Sequence, residues 1–295
     1  MTYRHSFDNK VEFYITNVCN LTCEHCNRFN NHRFSGWQRW SDYADIYQQW
    51  TQFVDIRNVV LMGGEPLLNP TVCDWAAGIA QTFGCDVQIL TNGLHLTKVK
   101  NLYHKLLNNR GHVGISLHNL QHWPMIKQYI KDFLDPALID EYGTALGDSR
   151  GDKFIYYSAR DINQMLVNVY LQNDFATSSL IADGDDRWRL HNSDPKEAHS
   201  RCSFVRYRSY HFIRGALYKC GPVALWSEFD QQHPLQISES DRALINNYQP
   251  MTPDLWPTQG EQFMQQLDQV IPQCKFCPTK HAMTIIQPMI KKSMA

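Results

Sequence analysis

Cys19-Asn20-Leu21-Thr22-Cys23-Glu24-His25-Cys26 follows the strand-like stretch Val11 to Thr16 and spaces three cysteines as C-x3-C-x2-C. Three thiolates on one tight loop bind three corners of a [4Fe-4S] cube and leave its fourth iron open, whereas an electron-transfer cluster usually takes four. An open iron implies chemistry. Cys and His also serve tetrahedral zinc, so a zinc knuckle completed by His25 or a later residue is the competing reading.

Further along, the strand-like run Asn58-Val59-Val60-Leu61-Met62 leads straight into Gly63-Gly64-Glu65-Pro66. A zinc knuckle has no use for that second motif. Together, the cysteine loop after a first strand and the Gly-Gly-Glu-Pro turn resemble the radical S-adenosylmethionine (SAM) enzymes. The resemblance implies a [4Fe-4S] cluster on Cys19, Cys23 and Cys26 whose free iron holds the amine and carboxylate of SAM. It also implies reductive cleavage of SAM to a 5′-deoxyadenosyl radical that takes a substrate hydrogen, with a flavodoxin- or ferredoxin-like protein as electron donor.

The same resemblance distributes SAM contacts. Gly63 and Gly64, lacking Cβ atoms, let backbone approach the SAM methionine closely. Glu65 is expected to serve SAM directly or indirectly, the alternative being a solvated strand-end carboxylate, while Pro66 shapes the turn. His25 stands where the family usually has an aromatic residue and is expected to pack near the adenine. Asn92, in Thr91-Asn92-Gly93, and Ser116, in Ile115-Ser116-Leu117-His118, match the family's ribose and carboxylate contacts. A turn-forming Asn-Gly needs no ligand to explain it, however.

Around these motifs the pattern alternates. Trp40 to Phe53, Asn69 to Thr82, Lys98 to Asn108 and His122 to Phe133 have helical spacing, while Arg57 to Met62, Asp86 to Leu90, His112 to Leu117 and Met165 to Leu171 read as strands. Strand-then-helix repetition predicts an α/β fold with a parallel sheet, and functional residues at the C-terminal strand ends. Cys19, Gly63, Asn92 and Ser116 all fall there. Asp135 to Asp152 reads as an irregular excursion with Gly143, Gly147 and Gly151. A sixth strand is expected at Leu180-Ile181-Ala182 or at Arg187 to Leu190, around the turn Asp183-Gly184-Asp185-Asp186. The resemblance supplies closure into a partial (β/α)6 barrel.

The 295 residues carry a formal net charge of -1 and no clustered Lys or Arg, which disfavours a duplex nucleic acid partner. Met1 to Lys10 is polar and no long apolar run exists, so a soluble, cytoplasmic protein with no membrane partner is expected. Nine cysteines without a secretion signal point to metal or redox roles rather than a disulfide framework. Cys73 and Cys85 stand alone and read as small hydrophobes.

The remaining four are late. Cys202 and Cys220 bracket strand formers with a hairpin turn at Arg214-Gly215, and Cys274-Lys275-Phe276-Cys277 adds a C-x2-C knuckle. Ser238 to Tyr248 and Gly260 to Val270, between them, read as helices. The arrangement resembles the twitch domain, the short form of the SPASM extension of radical SAM enzymes, and implies a second, fully ligated [4Fe-4S] cluster. A structural four-cysteine zinc site is the alternative that spacing alone permits. The expected organisation is a barrel over 1–190, a linker from His191 to Ser200, and an auxiliary-cluster domain within 191–295.

With every auxiliary iron occupied, outer-sphere electron transfer is favoured, and with it oxidation of a small-molecule substrate. Arg160, Arg187, Arg189 and Tyr170 are candidates to hold it. Modification of a ribosomally made peptide and a non-catalytic metal scaffold are the rival readings.

Overall fold

The structure is a computed structural model that describes residues 3–7, 9–135, 140–147, 153–184, 187–280 and 283–291, and within the strand hairpin the side chains of 142–147 and 153–155 are left aside. Its centre is a nine-stranded sheet. In chain order the strands are β1 (Val11–Tyr14), β2 (Asn58–Met62), β3 (Asp86–Thr91), β4 (Gly111–Leu117), β5 (Asp140–Gly147), β6 (Lys153–Arg160), β7 (Leu166–Leu171), β8 (Tyr210–Ile213) and β9 (Ala216–Tyr218). Across the sheet they run β9-β8-β1-β2-β3-β4-β7-β6-β5.

Six of them, β8-β1-β2-β3-β4-β7, are parallel neighbours. Tyr14 pairs with Met62, Thr91 with Ile115 and Leu117 with Leu171, so the C-terminal strand ends form one rim. The crossovers carry the helices α1 (Ala44–Trp50), α2 (Val72–Phe83), α3 (Leu102–Leu107) and α4 (Trp123–Phe133). This is the expected α/β architecture of a partial barrel.

Side-chain alternation gives the sheet two faces. Val11, Phe13, Val59, Leu61, Val87, Ile89, Val113, Ile115, Val167, Val169 and Phe212 belong to one apolar core with Trp75, Ile79, Leu106 and Ile130 from the helices. The opposite face carries Glu12, Gln88, His112, Ser116, Asn168, Tyr170 and His211. A core on one side leaves a polar surface on the other for ligands.

Two local expectations need correction. The sixth parallel strand is β8, and it adds beside β1 rather than beside β7. Leu180–Ala182 and Trp188–Leu190 instead pair antiparallel as a ribbon outside that sheet, with Trp188 also bridging Leu235. The supposed excursion is instead ordered over 140–147, where β5 pairs antiparallel with β6, and β6 with β7; residues 136–139 and 148–152 lie outside the described ones. Gly143 and Gly147 are tolerable there because β5 is an edge strand.

The rest of the chain adds α5 (Pro195–Ser200), α6 (Ser203–Arg206), α7 (Gly221–Gln232), α8 (Glu239–Asn246) and α9 (Trp256–Leu267). The stretch expected as linker thus holds α5, capped by the Asp194 carboxylate accepting from Glu197 N at 2.8 Å. Arg214 and Gly215, with φ of 51° and 77°, make the hairpin turn of β8 and β9 as expected. The sheet runs across the 190/191 boundary, and Phe212, Leu217, Trp256 and Phe263 lie in the barrel's own core.

Candidate active site at the strand ends

The chain leaving β1 is pinned before it reaches the cysteines. Ile15 N donates to Met62 O at 2.8 Å, Gly64 N to Thr16 O at 2.7 Å and Glu65 N to Val18 O at 2.8 Å. Both glycines serve this approach: a Cβ on Gly63 would sit 2.4 Å from Thr16 O, and one on Gly64 2.2 Å from Val18 O. The second motif therefore buttresses the first, a role that ligand approach alone does not describe. His25 turns the loop with φ of 61°, in the left-handed region that non-glycine residues rarely enter.

Glu65 is fully buried, which removes the solvated-carboxylate alternative. Its Oε1 accepts from Leu67 N at 2.9 Å and from Thr91 Oγ1 at 2.6 Å, and its Oε2 accepts from Asn92 N at 2.8 Å. Burial pushes its pKa up, and the three hydrogen bonds oppose that rise. The carboxylate ties the end of β2 to the end of β3. Asn92 carries the tie onward, its Nδ2 donating to Asn20 Oδ1 at 2.7 Å inside the cysteine loop.

Asn20 is the residue the sequence reading passed over. It is almost wholly buried, its Oδ1 is used, and its Nδ2 has no hydrogen-bond partner. A buried amide donor left unpaired is costly, and one beside Cys19 fits a polar ligand held at this loop. Ser116, on the polar face near the end of β4, donates to Gln172 Oε1 at 3.2 Å, with Tyr170 its register partner on β7.

Cys19, Cys23 and Cys26 lie within each other's electrostatic field. Burial, followed by Glu65 and Cys26, pushes the Cys19 thiol up to about 12 despite an opposing hydrogen bond from Leu21, and burial with the two neighbouring thiols drives Cys23 higher still. Burial thus favours the protonated thiols of Cys19 and Cys23 until a metal takes them. Among the described residues no three His, Cys, Asp or Glu side chains form a group that could hold a metal ion. A cube binds each thiolate at a separate iron, so its ligands stand further apart than around one tetrahedral zinc. The donor set of three thiols, with the unpaired amide of Asn20 alongside, fits an open-iron cluster with SAM.

The late cysteines are also brought together, from three places. Cys202 joins α5 to α6, Cys220 caps α7 after β9, and Cys274 and Cys277 lie in and just after the 3-10 turn Pro272–Phe276. Phe276 is buried edge-on against Trp226 of α7, with centroids 5.4 Å apart, which docks that turn on the helix. Burial and the neighbouring Cys202 and Cys274 push Cys220 up to about 12, and burial with the other three thiols raises Cys277 strongly. Lys219 is buried beside them and donates its Nζ to Gln269 O at 2.7 Å and to Leu267 O. A cleft of about 590 Å3 opens at Cys202, lined also by His199, Arg201 and Arg206.

Cys73 on α2 and Cys85 before β3 join neither group; burial raises both thiols, Cys85 to about 12. Arg160 lies at the opposite rim, paired with Leu166 at the start of β7, so it is not placed to hold a substrate at the strand ends. Arg189 is on the separate ribbon, with Arg187 just before it.

Residues 13–135 match the Radical SAM superfamily. That segment contains Cys19, Cys23, Cys26, Gly63, Gly64, Glu65, Asn92 and Ser116, and stops short of the late cysteines. The probable GTP 3′,8-cyclase of Methanocaldococcus jannaschii is 31% identical over 122 residues, a stretch that covers 39% of this chain and 39% of that protein. Among solved structures, Streptococcus suis SuiB bound to S-adenosylmethionine is 19% identical over 42% of this chain and 31% of its own, with a TM-score of 0.34. SuiB bound to the precursor peptide SuiA gives 18% identity over 45% and 31%, with a TM-score of 0.35. Among the described residues no helix is long and apolar enough to cross a membrane.

Proposed function

We propose that this chain is a radical SAM enzyme that oxidises a small-molecule substrate, with Cys19, Cys23 and Cys26 holding an open-iron [4Fe-4S] cluster and Cys202, Cys220, Cys274 and Cys277 a second, fully ligated one. When bound, the first cluster and SAM would supply the hydrogen-abstracting chemistry, and the second cluster would serve as the acceptor for the substrate's electron, the substrate losing one hydrogen atom, one proton and one electron in all. The observation that carries the reading is the unequal pair of thiol groups, three at the sheet rim and four behind β9. Three leave a corner for a ligand, and four leave none.

The chain's own work is positioning. Gly63 and Gly64 set the cysteine loop against β2, Glu65 fixes Asn92, and Asn92 orients Asn20 so that its free amide faces the ligand. Ser116 and Tyr170 offer hydroxyls on the polar face. His25, at its left-handed turn, is assigned to the adenine side. On this reading residues 1–190 make the radical and 191–295 supply the acceptor, a functional division laid over one continuous sheet. A flavodoxin- or ferredoxin-like protein would deliver the initiating electron.

Anaerobic reconstitution tests this directly: about eight irons per chain and 5′-deoxyadenosine formed from SAM under reduction are expected. About four irons with stoichiometric zinc would remove the second cluster, and no deoxyadenosine would remove the reading altogether. A peptide substrate is the second reading, favoured by β5, which among the described residues is the last strand of the sheet and so offers an edge for strand addition. A mass shift in a candidate peptide, and in no small molecule, would select it.

A further inference from the structure

The segment 283–291 crosses the rim where the proposed site lies. Met283–Ile285 pairs antiparallel with Asp174–Ala176, and Ile286 N donates to Asn173 O at 2.7 Å, just beyond β7. Pro288 O accepts from Asn119 Nδ2 at 3.4 Å, just beyond β4. Met289 O then accepts from Thr22 N at 3.1 Å, and Met289 N donates to Thr22 Oγ1 at 3.0 Å. Ile290 bridges Leu21, and Lys291 N donates to Asn20 O at 2.8 Å. The segment is a strap over three strand ends.

Lys291 spans the cysteine loop. Its backbone is fixed at Asn20, next to Cys19, while its Nζ donates to Asn30 O at 2.8 Å and His32 O at 3.2 Å. Asn30 in turn lies 3.9 Å by its Oδ1 from the Cys26 sulfur and is buried. Lys291 thus runs from beside the first cysteine of the loop, by its backbone, to the residue that contacts the last, by its ammonium. Burial lowers its pKa, and all three thiols act on it in the opposite sense. Nothing in the proposed SAM contacts uses this cation.

We propose that Lys291, held by the strap 286–291, is the resident counter-charge of the three-cysteine site and stabilises its cluster in the reduced state. The inference rests on the reading of Cys19, Cys23 and Cys26 as cluster ligands. Three thiolates make the bound cluster anionic, and reduction adds one more negative charge. Cluster potentials respond to net charge and solvent exposure, so a fixed cation within the electrostatic reach of all three thiols favours the reduced form. A lysine on a strap that only closed the loop would have no such effect.

The test is a redox titration of the early cluster, followed by electron paramagnetic resonance, in the full reconstituted chain with Cys274→Ala and Cys277→Ala together to silence the late site, since two thiolates cannot assemble a cube. Lys291→Gln is expected to lower the reduced-to-oxidised ratio at a fixed potential by on the order of tenfold, as loss of one charge in a medium of intermediate dielectric predicts, and Lys291→Arg to preserve it. A ratio unchanged in Lys291→Gln overturns the proposal. If Lys291→Gln fails to load iron while Lys291→Arg loads it, the need for charge is upheld. If both fail alike, Lys291 is a strut for Asn30 and His32 and the proposal is lost. Failure of the parent chain to hold iron at Cys19, Cys23 and Cys26 is a different result, and it removes the underlying reading instead.

Discussion

The two thiol groups reach their places by opposite routes. The early three share one loop, and their spacing is written in consecutive residues between β1 and Arg28. The late four come from a helix junction, a hairpin end and a 3-10 turn, gathered by β8 adding to β1 and by Phe276 docking on Trp226. Yet each has a lysine beside it whose ammonium donates to backbone carbonyls, Lys291 in one case and Lys219 in the other. The two lysines differ in origin: Lys219 adjoins Cys220 in the sequence, whereas Lys291 comes to the early loop from far along the chain.

The sharpest way to break the comparison is to remove one ligand from each group. Cys23→Ala is expected to abolish deoxyadenosine formation and about half of the iron, because an open-iron cube cannot assemble on two thiolates. Cys277→Ala should instead keep abortive SAM cleavage. If both variants cleave SAM like the parent, the division of labour is wrong.

Coupling gives the next largest effect. With Cys220→Ala the substrate radical loses its oxidant, so the ratio of deoxyadenosine to oxidised product should rise on the order of tenfold. A redox-neutral product, SAM regeneration or an unchanged ratio would defeat the oxidation.

A third test addresses the join between the groups. Arg28, just after the early loop, and His211 on β8 both contact the Glu12 carboxylate, at 2.5 and 3.0 Å, while a Cβ on Gly221, next to Cys220, would lie 3.7 Å from the His211 ring. Burial raises the Glu12 pKa, but His211 and Arg28 outweigh it and hold the group at about 2 against an ordinary 4.5. A depressed folded-state pKa contributes stability above the ordinary value that is lost as pH falls through that window, here about 3 kcal/mol in all. Urea unfolding of the metal-free chain should show that loss between about pH 5 and pH 2, and Glu12→Gln should flatten it. Parallel pH profiles for the two proteins would dismiss this link.

The smallest effect sharpens the partition of cysteines. Cys73→Ala should leave iron content unchanged and stability within about 0.5 kcal/mol, as a half-buried thiol on α2 with no ligand role requires. Loss of iron would place it in a site.

What could be read in advance follows the same division. β1, β2, β3, β4 and β7 were legible because buried parallel strands are apolar runs broken by turn residues, and Cys19, Gly63, Asn92 and Ser116 fall at their ends. The sixth strand was not legible, because Tyr210–Ile213 takes β1 as its partner and nothing local in those residues names it. The β5 and β6 hairpin was hidden by glycines that an edge strand accepts. Glu65 was legible as a motif residue, but its brace to Thr91 and Asn92 appears only in three dimensions. Asn20 had a weak signal, an amide inside the cysteine motif; Lys219 stood next to Cys220 without a pattern, and Lys291 had no signal at all.

The strap also sets a timetable. Thr22 and Met289 are 267 positions apart, and a ribosome makes them in that order. Until residues 289–291 are made, the cysteine loop therefore lacks these neighbours and is open on the side that Ile290 and Lys291 contact. Iron and sulfide delivered during that interval would meet a loop that Met289, Ile290 and Lys291 have yet to contact.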